Sequence, residues 1–374
     1  MQSRRIISCA IAGWLLSVSV GHTAEWGLKE GTPAIKSISA IAFGPDGILF
    51  VGDSKGATIF AIGTGDTKGD ASKAEFNVPG LNSWIAPLFE TAADNIVIND
   101  LAVNPMTGNV FVAVMKGKGA DATPAIVRVG ASETGSVKIT DLPLKKIPFL
   151  QAVLPDAPED KEVTRGGRSQ NPRNEAITDL AYAEGKVFVS GTAAAASPSS
   201  VHQIPFPFAD GVQGASVEIY HAAHARSEDA ATIRTFVPLN IGGEPSLLAG
   251  FTCTPLVRFP IDSLKPGTKT KGTTVAELGN RNKPLDIISY QKDGKTFLLM
   301  ANSARGVMKI STENIAKNEG LTTPVTGGGT AGQPFETIKE WDGVIQLDRL
   351  NDTHAVVLVQ SSPTTQDLRT VALP

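Results

Sequence analysis

An all-β fold arranged as a six-bladed β-propeller of four-stranded blades is what the sequence predicts, and three observations predict it. The first is local. Residues 38–62 read as three short apolar strands joined by two tight polar turns: Ile-Ser-Ala-Ile-Ala-Phe, Gly-Pro-Asp-Gly, Ile-Leu-Phe-Val-Gly, Asp-Ser-Lys-Gly, Ala-Thr-Ile-Phe-Ala-Ile. The second is recurrence. The same strand-turn-strand-turn-strand pattern returns over residues 99–129, 178–204, 233–261, 285–310 and 344–373. The third is composition. The 37 glycines and 24 prolines are about a sixth of the 374 residues, which suits a chain of many turns and few long helices.

Each strand of the unit is rich in β-branched or aromatic residues with local alternation, the pattern of a pleated, half-buried surface. Matched positions Ala42, Ala102, Ala181, Pro238, Ile288 and Gln346 lie 60, 79, 57, 50 and 58 residues apart. Each interval holds one further strand-like piece, at residues 75–78, 137–140, 217–220, 273–278 and 335–341, which makes four strands per unit. The sixth unit stops at its third strand. Residues 25–29 are the natural candidate to complete it, closing the ring from the two chain ends and removing the free edges that template aggregation. Seven blades would need the 79-residue interval to hide another.

The segments "IAFGPDGILFVGDSKGATIFAI", "DLAVNPMTGNVFVAV" and "DLAYAEGKVFVSG" resemble the propeller superfamily that holds the NHL-repeat, strictosidine-synthase-like and gluconolactonase-like proteins. The resemblance covers nearly the whole chain at the level of fold. It implies no single activity, since the fold hosts hydrolases, lyases, quinoproteins and pure binders.

The first residues read as an export signal. Arg4 and Arg5 form a basic start, residues 6–20 an apolar run of 15, and Gly21 and Ala24 offer small residues before a cleavage point. The run is short for a membrane span and lacks a stop-transfer flank. The domain expectation is therefore a signal over residues 1–24 and one propeller over 25–374, placed in the periplasm or secreted. Ser-Arg-Arg-Ile-Ile at residues 3–7 leaves Sec and twin-arginine export both open. With Cys9 in the signal, Cys253 is the one cysteine of the mature chain, which excludes an intramolecular disulfide there. A net charge of -3 and no basic stripe with interleaved aromatics argue against nucleic acid as a partner. No later run is long enough to cross a membrane.

Propeller geometry sorts loops by face. Connections from fourth to first strands and from second to third strands emerge together, around one mouth of the central channel. Two long inserts, residues 80–97 and 142–176, fall on that face as candidate rim walls. Asp100, Asp179 and Asp286 open three first strands at matched positions. As a ring they would hold a hard divalent cation through oxygen; as structural groups each would accept backbone N–H bonds and fix the step between blades. His221 and His224 with Glu228 form a second candidate, suited to a transition metal or to a general base, and equally to an ordinary hydrogen-bonded loop. Cys253, in the second-to-third turn of the same blade, is expected near that loop, as a nucleophile, a soft-metal ligand or a packed thiol. Arg281, Asn302 and Arg305 occupy both loops of the fifth unit on the same face, and Arg165 and Arg168 belong to the long insert. Such arginines clamp a carboxylate or phosphate, or stand solvated on the rim.

No Gly-x-Ser-x-Gly elbow, Walker loop, dinucleotide fingerprint, His-Glu-x-x-His or haem-attachment motif is present. The leading expectation is thus a propeller that binds a small molecule or protein at the channel mouth. Two alternatives stand beside it. One is a metal-dependent lactonase- or esterase-like hydrolase, which the resemblance implies, although the Glu/Asn/Asp ligand set of that group has no complete match here. The other is a quinoprotein-type oxidoreductase, with which export, histidine and the rim arginines are compatible.

Overall fold

The computed structural model describes residues 26–131, 136–165, 167–208 and 213–374; the export-signal segment 1–24 lies outside the described residues. The tight turns fold as their composition demands. Glu184–Gly185 and Asp293–Gly294 each pair a positive φ with a positive φ (52° and 70°, 52° and 72°). That is the two-residue geometry whose twist matches the flanking strands, and glycine takes its second position at no steric cost. Each such turn returns the chain directly onto its neighbour, so the first three strands of every blade are consecutive in sequence and antiparallel.

Six blades result. In order of their first strands, they begin at Ala40–Phe43, Ile96–Val103, Asp179–Ala183, Ile233–Ile241, Pro284–Lys292 and Val344–Arg349. The second strands are the most deeply buried: every residue of Ile48–Asp53 is buried, and Phe50, Phe111 and Phe188 are essentially without exposure. Six hydrophobic clusters lie between facing blades, and they reveal the order of the ring. Blade 1 shares one cluster with blade 2 (Ile41, Leu49, Phe111, Ala113) and another with blade 3 (Phe50, Ile59, Leu180, Val189). Blades 3 and 4, 4 and 5, and 5 and 6 share the next three. Blade 6 packs on blade 2 through Val356, Leu358, Leu368, Val112 and Val114. Around the channel the order is therefore 1, 3, 4, 5, 6, 2, not the order of the sequence.

The outer strands carry this rearrangement. Blades 2, 3, 4 and 5 take Val137–Asp141, Ala215–His221, Thr273–Glu277 and Phe335–Ile338, where the sequence expects them. The strand at residues 75–78 forms as Asn77–Val78, but it joins blade 6, pairing Val78 with Leu368 and Asn77 with Arg369. The outer strand of blade 1 is Ile147–Val153, from the 142–176 insert, paired on Thr58–Gly63. The expected closure by residues 25–29 is thereby corrected. Lys29–Gly31 adds outside blade 1, on Ile147–Val153, and Asn77–Val78 closes the last blade. The cause is chain reach. Thirteen residues separate Gly63 from Asn77, enough to leave one blade for another. Beyond the seam pairing, the Gly80 N–H donates to Asp367 Oδ1 at 2.9 Å and Asn82 Nδ2 donates to the Thr364 carbonyl at 2.8 Å.

The 79-residue interval hides a crossing rather than a seventh blade. It carries the chain back over blade 1, forms the hairpin Val163–Arg165 with Arg168–Gln170, and enters blade 3. No described helix is long and apolar enough to cross a membrane.

Candidate functional site

The entrance to the channel is a cup of about 390 Å3 at the starts of the first strands. Asp100, Asp179 and Asp286 form a collar within it, shared with a second chamber of about 430 Å3 deeper in the channel. Their geometry is repeated. Asp100 accepts the N–H of Leu101 at 2.8 Å and, across the blade boundary, that of Ile41 at 2.7 Å. Asp179 accepts from Leu180 and from Phe236 of blade 4, both at 2.8 Å. Asp286 accepts from Ile287 and from Leu347 of blade 6, both at 2.8 Å. Each aspartate thus ties its own strand to the next blade, using both carboxylate oxygens.

A fourth aspartate, Asp348, lies two residues farther along its strand. It accepts from Arg349 at 2.6 Å and from Val103 of blade 2 at 2.7 Å. Its sequence signal was displaced: it follows Leu347 where the other three precede their leucine or isoleucine. Enclosure in a narrow channel disfavours the charged form of all four. Burial pushes Asp179 and Asp348 up to about 6, against the pull of their backbone N–H bonds. Burial lifts Asp100 and Asp286 well above the usual carboxylate range, with repulsion from neighbouring aspartates adding to it.

The rim of the cup carries charges that sequence reasoning missed. Glu175 ends the long insert, Arg234 opens blade 4 and Lys283 precedes blade 5. Arg234 donates to Glu175 at 2.7 Å and to the Thr252 hydroxyl at 3.1 Å. Among the described residues the Lys283 ammonium has no hydrogen-bond or ion-pair partner. Burial lowers its pKa, repulsion from Arg234 adds to that, and Glu175 works against both. Position was the available signal: Arg234 and Lys283 sit at fourth-to-first connections, which must emerge at this mouth. Asn174, Glu175 and Arg234 also belong to a groove of about 1100 Å3 that runs outward between the insert and the small residues Ala193–Ala196.

The histidine cluster folds on the same face, farther out between blades 3 and 4. A short 3-10 turn at Ala222–His224 follows the outer strand of blade 3, and Arg226–Glu228 doubles back on it. The His221 and His224 rings lie against each other, centroids 3.8 Å apart and planes tilted by 37°. Both direct Nδ1 at Glu228, each at 2.8 Å, and Arg226 donates to the same carboxylate at 2.9 Å. Burial works upward on Glu228, but these three donors hold it down to about 2. Burial lowers His221, with the Glu228 bond opposing. Nothing in the sequence hinted at Glu277, at the end of the outer strand of blade 4. Its side chain is fully buried, its Oε1 lies 3.7 Å from His221 Nε2, and burial pushes it up to about 7. Among the described residues, His221, His224 and Glu228 are the group of three whose ligand atoms all lie within 4.8 Å of one another.

His224 and Cys253 meet as walls of one cavity of about 710 Å3, with Arg281, Asn280, Val325, Gly327 and Gly328. Cys253 and Arg281 both hold positive φ, 64° and 54°. Asn302 and Arg305 serve the loops themselves: Asn302 accepts from Asn282 at 2.9 Å and donates to the Met300 carbonyl, and Arg305 donates to the Asn280 carbonyl at 3.1 Å. Arg165 and Arg168 are register partners in the hairpin of the insert.

No family model and no curated protein matches the chain. Solved structures overlap it at low similarity. A proposed oxidoreductase, a glucose dehydrogenase, from Thermus thermophilus is 12% identical with a TM-score of 0.35, over 92% of this chain and 99% of that one. Virginiamycin B lyase from Staphylococcus aureus is 8% identical with a TM-score of 0.39, over the same shares. A streptogramin B lyase is 9% identical with a TM-score of 0.32, over 93% and 99%. At the level of fold the chain is a six-bladed β-propeller on its own strand pairing.

Proposed function

We propose that this protein is an exported propeller that binds a small polar ligand bearing an anionic group at the channel mouth. The observation that carries the reading is the exposed Lys283 ammonium on the rim of the cup, without a counter-charge bonded to it among the described residues. An anionic ligand group supplies that counter-charge, and a charge-assisted bond is stronger than one between neutral groups. Asn99, Asn174 and Gln346 line the cup with amides for the remainder of the ligand. Glu175, tied to Arg234, presents a fixed wall, and the groove beyond it admits a larger substituent. The export part of the proposal rests on Arg4, Arg5 and the apolar residues 6–20.

The test is a thermal-shift and native mass-spectrometry screen of carboxylates, sugar acids and phosphate esters on the mature protein, repeated on Lys283→Met. Ligands that stabilise the native protein should lose most of that effect in the variant. Equal binding to both proteins would remove the channel-mouth reading. Turnover of an ester or lactone by the native protein, lost in Lys283→Met, would convert the binder into an enzyme at the same place.

A further inference from the structure

We propose that His221, His224 and Glu277 form a site for a divalent transition ion of the zinc class. His221 Nε2 and Glu277 Oε1 are the preset pair of ligand atoms, and the half-exposed His224 closes on the ion through its Nε2 as the ion binds, with Glu228 behind both rings.

The argument begins with two polar atoms that have no partner. His221 Nε2 and Glu277 Oε1 are both buried and neither makes a hydrogen bond. They face each other at 3.7 Å, from side chains only 2% and 0% exposed. That separation is too long for a hydrogen bond, and leaving either atom bare in the interior is costly. It is close to the spacing of two ligands on one ion: metal–nitrogen and metal–oxygen bonds of about 2.1 Å at a tetrahedral angle set them roughly 3.4 Å apart.

The tautomers agree. Glu228 takes an Nδ1–H from each histidine, so each ring keeps its lone pair on Nε2. A carboxylate behind the distal nitrogen is the usual support of a metal-bound imidazole. Because both rings turn Nδ1 to the same carboxylate, both Nε2 atoms point away from Glu228. Two imidazoles with one carboxylate select a transition ion over calcium or magnesium, which take oxygen. In this arrangement Glu228 is a positioning residue rather than a ligand. Of the three ligands, His224 lines the cavity that it shares with Cys253 and Arg281, which gives a small ion a way in from that side. The Val325 N–H, donating to the Ala222 carbonyl at 3.0 Å, anchors the far wall of that cavity to the histidine turn.

The test uses the mature full-length protein, stripped with a chelator and titrated with zinc and with cobalt(II). About one equivalent should bind, with a rise in melting temperature, and cobalt should show the intense visible bands of a low-coordinate site. His224→Ala, at a half-exposed position, and Glu277→Gln should each lower zinc affinity at least about 100-fold. Glu228→Gln should keep the stoichiometry and lose roughly 10- to 100-fold. Cys253→Ser should bind as the native protein does. Circular dichroism on the metal-free variants separates loss of ligand from loss of fold. Absence of a cobalt spectrum together with an unchanged melting temperature would overturn the proposal, as would full affinity in both His224→Ala and Glu277→Gln.

Discussion

The Asp348 carboxylate accepts the Val103 N–H at 2.7 Å across 245 residues of sequence, at the seam where the last blade meets the second. The same bond, made by Asp100, Asp179 and Asp286 at three other boundaries, turns the collar of aspartates into the inner stitching of the ring.

That stitching has a pH signature. Asp348 and Asp179 are raised to about 6 in the folded protein, above their unfolded value. Stability from protonating them is fully present below the unfolded pKa and is lost as pH rises through about 6. A two-unit rise corresponds to about 3 kcal/mol per group, an upper bound here because channel water reaches these side chains. Urea unfolding of native protein and Asp348→Asn at pH 4, 5, 6 and 7 tests this. The native protein should lose stability relative to the variant across that span; a constant difference would contradict it.

Asp66 anchors the opposite end of blades 1 and 2. It accepts from Asn104, Thr107 and Asn109, and from Arg128 at 2.9 Å. Asp66→Ala removes the carboxylate that all four donors share, although Asn104 keeps its bond to the backbone carbonyl of residue 66, and should cost about 2 to 4 kcal/mol in chemical denaturation, less than a fully buried broken pair because Arg128 is partly exposed.

Ring closure can be tested at Val78, which is buried against Leu368. Val78→Asp puts a charge into the cluster shared by blades 2 and 6. It should lower stability by about 3 kcal/mol or more and speed amide exchange in Thr365–Ala372. Glu30→Pro, in the strand added outside blade 1, should leave that exchange unchanged.

Gly191 couples the insert to the mouth. A Cβ there would collide with the Ala176 carbonyl oxygen, which is backbone and cannot rotate away. Gly191→Ala should destabilise by about 1 to 3 kcal/mol and displace Glu175, so that thermal-shift hits at the mouth weaken beyond what the stability loss explains.

The sequence by itself determined most of the strands, the turns and the number of blades. All of these are local: period-two alternation, glycine at positive φ, and hairpins between residues close in the chain. Asp100, Asp179 and Asp286 were legible because they recur in phase with the repeat, and His221 and His224 because they lie three residues apart. Only the tertiary structure decided the order of blades around the ring, the owner of each outer strand and the partner of His221. An outer strand has one neighbour and a loop long enough to reach several, so its residues do not encode which blade it joins. Glu277 meets His221 from 56 residues away, through the packing of two blades, and a single carboxylate at the end of a strand announces nothing until that packing exists.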